Sequence, residues 1–173
     1  MTDPGVYGAS DGMTFVLQTQ GATALGANGG NLGYAGAGPN GSGGITPSVA
    51  VEFDTWQNSP FDINDNHVAI LTNGVLNDLD PQTPYGVTNC QPTGAFGCMS
   101  NGDVWSVWIN YDGTNLNVAV ADNSTTRPAN LISYPIDIAS ILGQSSAFVG
   151  FTAGNGLGYE NHYILNFLPP PPA

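Results

Sequence analysis

At 173 residues the chain is long enough for one domain with a sizeable buried core. Only 8% of its residues are charged, the formal net charge is −12, and Arg127 is its single Lys or Arg. Nucleic-acid backbones and anionic membrane surfaces select for Lys and Arg, so neither is an expected partner.

Solubility falls instead to Asn, Ser, Thr, Gln and Gly, a surface in keeping with an extracellular or secreted β-protein. No apolar run approaches the roughly 18 residues that span a bilayer, which argues against membrane insertion. Met1-Thr2-Asp3-Pro4 has neither the basic start nor the apolar core of a signal peptide, as in a mature or trimmed product.

In chain order, the alternation of apolar and polar residues predicts a first strand over Met13–Thr19. Between Gly21 and Gly44 lies a Gly/Ala/Asn stretch, long enough to be either functional or disordered. Its small residues let backbone approach a ligand, which suits a binding loop; a flexible linker is the alternative for its second half, Tyr34–Gly44. Strands over Ser48–Asp54 and His67–Thr72 follow. Val104–Tyr111 alternates Trp105, Val107, Ile109 and Tyr111 on one face with Ser106, Trp108 and Asn110 on the other, so one of the two tryptophans is expected in the core. Asp112-Gly113-Thr114 is a hairpin turn, after which Leu116, Val118 and Val120 continue the apolar face. Leu131–Pro135, Ala147–Thr152 and His162–Leu168 complete the predicted strands. A single helical turn is predicted at Asp137–Leu142, with Asp137 as N-cap and Gly143 as stop. Many short alternating strands and almost no helix imply an antiparallel sandwich or barrel.

The segment Val49-Ala-Val-Glu-Phe-Asp-Thr-Trp-Gln-Asn58 carries the most chemistry. Period two sends Glu52 and Asp54 to the same side of the strand, where they repel unless a cation sits between them. Asn58, Asp62, Asp65 and His67 then add oxygen donors and one imidazole. Hard cations take carboxylate, carbonyl and amide oxygens, whereas imidazole suits a transition metal. The alternative is an acidic solvated loop.

Cys90 and Cys98 bracket a Gly/Pro-punctuated loop. That placement favours a disulfide over a zinc site, which needs two more ligands nearby, with a pair of reduced thiols as the alternative. Closing so short a loop stabilises by roughly 2–3 kcal/mol and argues for an oxidising compartment.

Four segments, in order, resemble the legume-type (L-type) lectins. Glu52-Phe-Asp-Thr-Trp-Gln-Asn58 with Asp62 and His67 resembles their metal loop. Ser10-Asp-Gly-Met-Thr-Phe-Val-Leu17 is similar to their Asp-Gly strand, and Gly29-Gly-Asn-Leu-Gly33 to their Gly-Gly loop. Val149-Gly-Phe-Thr-Ala153, with Glu160-Asn-His-Tyr-Ile-Leu165, is similar to their closing segment. The resemblance spans nearly the whole chain and implies the all-β, concanavalin-A-like jelly-roll sandwich of antiparallel sheets. The Gly-rich composition and proline tail are more similar to a bacterial member than to a plant seed lectin. Plant members carry further N-terminal strands before the Asp-Gly segment, and only about ten residues precede it here. Self-association or an accompanying chain is therefore expected at the exposed sheet edge. The lectin-like domain is expected over residues 1–168, with the proline-rich 169–173 as linker or tail.

The resemblance implies a glycan site and two metals. Asp11 matches the aspartate that accepts from sugar hydroxyls, Gly30 the glycine whose N–H donates, and Asn58 the amide shared between sugar and calcium. Trp56 matches the aromatic that stacks on the ring while its carbonyl holds calcium. Glu52, Asp54, Asp62 and His67 match the ligands of a transition metal such as Mn2+, and Asp54, Trp56, Asn58 and Asp62 those of Ca2+. Asp65 rivals Asp62 for the shared role, though the five-residue spacing to His67 favours Asp62. The specificity loop corresponds to Asn155–Tyr159, with Leu157 and Tyr159 toward a second sugar unit. The resemblance also implies a cis peptide between Ser10 and Asp11.

Two other readings compete. A retaining glycoside hydrolase on this fold needs two carboxyl groups about 5 Å apart. The position where a laminarinase-type motif has its acid is Gln57, and the one other glutamate is Glu160, so no enzyme is expected. A structural extracellular surface or matrix protein that keeps the lectin fold without binding sugar is the second alternative.

Overall fold

The computed structural model describes residues 8–38, 41–76, 80, 83–87 and 99–168. Cys90, Cys98 and the tail 169–173 lie outside the described residues. Among the described residues there are eight strands: β1 (Gly12–Gln18), β2 (Ser48–Asp54), β3 (His67–Thr72), β4 (Tyr85–Val87), β5 (Trp105–Tyr111), β6 (Asn115–Asp122), β7 (Ile132–Pro135) and β8 (Phe148–Gly154). They form a five-stranded sheet in the order β4-β3-β2-β1-β8 and a three-stranded sheet in the order β5-β6-β7. Every pairing is antiparallel.

Alternation along β2 places Val49, Val51 and Phe53 on the face that meets the second sheet, where they pack with Val68 and Ile70 of β3. Leu116, Val118 and Val120 of β6 and Ile132 of β7 fill the opposite wall. Trp105 packs against this core from β5, while Trp108 occupies the other face of that strand. The helical turn α1 (Ile138–Leu142) contributes Ile138 and Leu142 to the same core. Asp137 caps it by accepting from the Ser140 N–H at 2.9 Å, and Gly143 ends it at φ 69°.

The other face of β2 is also covered. Ala50, with Val16, Ala69 and Leu71, packs beneath Tyr34, Ala35 and Ile45 of the Gly-rich stretch. Tyr34 is fully buried; its hydroxyl lies 2.9 Å from Ser48 Oγ and accepts from the Gly74 N–H at 3.1 Å. The flexible-linker alternative for this stretch is therefore overturned for its described residues. Glycine serves close packing: a Cβ on Gly44 meets Gly74 Cα at 2.9 Å.

One expectation is corrected. Residues 162–168 are not in a strand, since an extended segment becomes one only by pairing and, among the described residues, no strand pairs with it; Asn161 before it makes an isolated bridge. Phe167 instead packs on Phe15 and Phe151, with ring centroids 6.2 and 5.3 Å away. The short β4 was not anticipated. Among the described residues the core is open at one side. Phe151 pairs with Phe15 and so continues the inner face, yet it is 37% exposed.

Candidate functional site

Antiparallel pairing of β2 with β3 sets Asp54 opposite His67. Alternation adds Glu52 on the same face, and one ligand atom from each of the three lies within 4.8 Å of the others. All three side chains are fully buried. Burial pushes the Asp54 carboxyl well above the ordinary carboxylate range; Glu52 and Asp62 push further, while His67 and the Trp56 N–H oppose. The His67 Nδ1 sits 3.1 Å from the Asn64 carbonyl, and a proton held there turns the Nε2 lone pair toward Glu52, 3.7 Å away. Two buried carboxylates and an imidazole fixed through its far nitrogen fit a divalent cation that keeps the carboxylates ionised.

The metal loop folds around Asp62. It is buried, and its Oδ2 accepts from the Asn58 N–H. Asp65 is exposed and borders a cavity of about 400 Å³ lined by Gly8, Thr55, Trp56 and Ser100. Of the two rival carboxylates, Asp62 is therefore the one beside Asp54. The Trp56 N–H donates to Asp54 Oδ1 at 2.8 Å; the residue is 38% exposed, and its ring lies next to Gly8.

Asp11 immediately precedes β1, where three strand ends converge. Its N–H donates to the Gly154 carbonyl at 3.0 Å, and its own carbonyl accepts from the Thr55 N–H at 3.0 Å. The peptide joining it to Ser10 is cis, as expected. Its side chain is buried, hydrogen-bonds the Asn58 amide, and keeps one oxygen, Oδ2, without a partner among the described residues. Burial raises the Asp11 pKa, the Asn58 hydrogen bond opposes, nearby Glu160 adds to the rise, and His162 lowers it. Around Oδ2 the walls are backbone: a Cβ on Gly156 would lie 3.1 Å away and one on Gly29 4.0 Å. A Cβ on Gly30 would strike the Asn58 amide. Asp11, Gly30 and Asn58, far apart in sequence, thus meet in one cradle. Leu157 and Tyr159, which flank the Gly158 packed against Ser10, are both exposed.

Sequence reasoning missed Thr55 and Glu160 as parts of this region. The Thr55 hydroxyl donates to Glu160 Oε1 at 2.7 Å, and both residues are buried. The available signal was the position of Thr55 between Asp54 and Trp56.

Residues 2–167 match the family model described as the legume lectin domain. Similar curated proteins include the L-type lectin-domain containing receptor kinase VIII.1 of Arabidopsis thaliana, 34% identical over 88% of this chain. The L-type lectin-domain containing receptor kinase SIT2 of Oryza sativa subsp. japonica is 32% identical over 94%. The chain spans only 20% and 25% of the lengths of these two relatives. Among solved structures, a lectin from Bauhinia forficata in complex with GalNAc superposes with a TM-score of 0.62 at 21% identity, covering 86% of this chain and 59% of that one. The sandwich is thus the concanavalin-A-like one, and the chain belongs to the legume lectin domain family.

Proposed function

We propose that this domain is a non-catalytic, calcium-dependent lectin that binds glycans in the Asp11–Gly30–Asn58 cradle. The observation that carries this reading is the convergence of a buried carboxylate, an amide and bare glycine backbone beside a buried carboxylate–imidazole cluster. Asp11 Oδ2 is a free acceptor for sugar hydroxyls, the Gly30 N–H a donor, and Asn58 offers both. Trp56 supplies an apolar plate for the C–H face of a ring, and Leu157 and Tyr159 meet a second unit. Ca2+ would be held by Asp54, the Trp56 carbonyl, Asn58 and Asp62, and Mn2+ or another transition metal by Glu52, Asp54, Asp62 and His67. The ions supply charge that keeps the carboxylates ionised and orders the loop bearing Asn58.

Glu160 supports the non-catalytic reading: it is engaged by Thr55 and His162, and Gln57 has no proton to give. Glycan-array binding with and without chelator is the test. Chelator-sensitive binding is expected; binding that persists in excess chelator removes the metal model, and no binding at all favours the structural surface protein.

Homology to lectin-domain receptor kinases and the uncharged polar surface support an extracellular or secreted location. Bacterial origin rests on composition alone, and both receptor kinases named above are plant proteins. The lectin unit is taken as residues 1–168, with 169–173 as linker or tail and a Cys90–Cys98 disulfide. The open inner face at Val149 and Phe151 supports closure by a further polypeptide, through self-association or an accompanying chain.

A further inference from the structure

We infer that Glu160 is a positioning residue which ties the loop carrying Leu157 and Tyr159 to the metal loop through Thr55, and so sets affinity for an oligosaccharide beyond its first sugar. The inference rests on the glycan reading above. Glu160 closes the neck of that loop with its main chain: its N–H donates to Asn155 Oδ1 at 3.3 Å, and Asn155 Nδ2 donates back to its carbonyl at 3.2 Å. The Gly156 N–H donates to the Gly158 carbonyl at 3.1 Å, making the loop a tight bend. Gly156 and Gly158 lie flat over Asp11 and Ser10: a Cβ on the first would sit 3.1 Å from Asp11 Oδ2, and one on the second 2.7 Å from Ser10 Oγ. Leu157, 83% exposed, and Tyr159 consequently project outward past the cradle.

The side chains of residues 155–159 are all exposed or absent, so the inward anchor of this segment is the Glu160 side chain, 1% exposed. Its Oε1 accepts a hydrogen bond from the Thr55 hydroxyl at 2.7 Å and lies 3.1 Å from His162 Nε2. Thr55 in turn follows the metal-cluster residue Asp54, precedes Trp56, and donates its N–H to the Asp11 carbonyl. One side-chain bond therefore joins the two loops on either side of Asp11. A hydrogen bond to a carboxylate in a buried setting is of the stronger kind, and losing it frees the loop rather than the sheets.

The test compares Thr55→Val, which keeps the shape and removes the hydroxyl, with Thr55→Ser, which restores it, and with Glu160→Ala. Affinities of each full chain for a monosaccharide and for an oligosaccharide ending in that sugar are measured at saturating calcium, beside the melting temperature and amide exchange in residues 155–160. Expected for Thr55→Val is a roughly tenfold loss of oligosaccharide affinity with monosaccharide affinity kept within about twofold, faster exchange confined to the loop, and recovery in Thr55→Ser. An unchanged ratio of the two affinities overturns the inference, as does a parallel fall in both affinities and in melting temperature, which marks a merely structural bond. If the wild type binds no sugar, the glycan reading fails by itself. Loop exchange unchanged in both Thr55→Val and Glu160→Ala then overturns the positioning role separately.

Discussion

Glu52 and His67 face one another across β2 and β3 with Oε2 and Nε2 3.7 Å apart and neither side chain exposed. Two groups so placed, with Asp54 beside them, are costly to bury unless a cation or a proton offsets the charge. Glu52→Gln removes one ionised ligand without changing volume. Affinity for Mn2+ should fall by at least about 10–100-fold, the loss typical when even an outer-shell partner is removed. Stability in chelator should hold or rise, since a buried charge has gone. Calorimetric metal titration beside denaturant melts in chelator checks both; unchanged Mn2+ affinity would place the metal elsewhere.

The pH dependence should change sign with metal. Without metal, the folded-state pKa of Asp54 is raised well above 3.8, chiefly by burial and then by Glu52. The folded chain then binds more protons than the unfolded one between 3.8 and that raised value, so stability grows as pH falls through the window. With metal the ligands must be ionised, and the stabilisation by metal is lost as pH falls. Denaturant midpoints from pH 8 to pH 4, in chelator and in excess Ca2+ and Mn2+, should therefore slope in opposite directions and meet at the acid end. Parallel slopes would contradict the assignment of Asp54 as a ligand.

Much of this was legible in the chain. Period two in Val49–Asp54 put the apolar residues on one face and both carboxylates on the other, and β2 and β3 begin and end where the pattern placed them. Asp137 and Gly143 bounded the helical turn because caps are local chemistry. Tyr163, Ile164 and Leu165 carry strand propensity, but a strand exists only through a partner that local sequence does not report, and 162–168 have none among the described residues. The covering role of the Gly-rich stretch was hidden for a similar reason: Tyr34 finds Ser48 and Gly74 only in three dimensions. The Thr55–Glu160 bond, spanning 105 positions, has no local signature at all.

Asp11→Asn should separate binding from folding. The carboxyl is buried and its pKa raised, so the ionised form weakens the folded state near neutral pH, and replacing it relieves that cost. The melting temperature should stay level or rise. Glycan affinity should fall roughly 10–100-fold, because an ionised acceptor becomes an amide that cannot accept from two hydroxyls through both atoms. Sugar binding in the wild type should also weaken as pH falls, and should begin to do so above the ordinary carboxylate range, because the raised pKa lets Asp11 take up its proton early. Full binding by Asp11→Asn on a glycan surface would remove this residue from the site.

Gly30→Ala probes the same cradle from its backbone side. The added Cβ strikes the Asn58 amide, which is a side chain and can swing away, so the fold should survive with a melting temperature near wild type. Displacing that amide breaks its bond to Asp11 and removes the group proposed to serve sugar and calcium together. Glycan binding and Ca2+ affinity should therefore drop in step. A loss of glycan binding with calcium affinity intact would show that Asn58 serves only the sugar.

The open side of the core makes the last prediction. Leu17 and Val149, then Phe15 and Phe151, form cross-strand pairs on the inner face of β1 and β8, yet Val149 and Phe151 reach solvent. Leu165, two residues before the Phe167 that packs on Phe151, is 71% exposed, and the stretch from Phe148 to Gly154 carries no charge in a chain of net charge −12. Apolar surface that other chains can cover drives association, whereas a lysine placed there would have to be buried unpaired. Scattered surface substitutions change monomer stability by about 0.5 kcal/mol or less. Light scattering after size exclusion should thus report assemblies larger than one chain for the wild type, and a shift toward one-chain mass for Val149→Lys and Leu165→Lys with little change in melting temperature. A wild type that is already a monodisperse monomer would end the argument for a covering partner and leave the glycan cradle untouched.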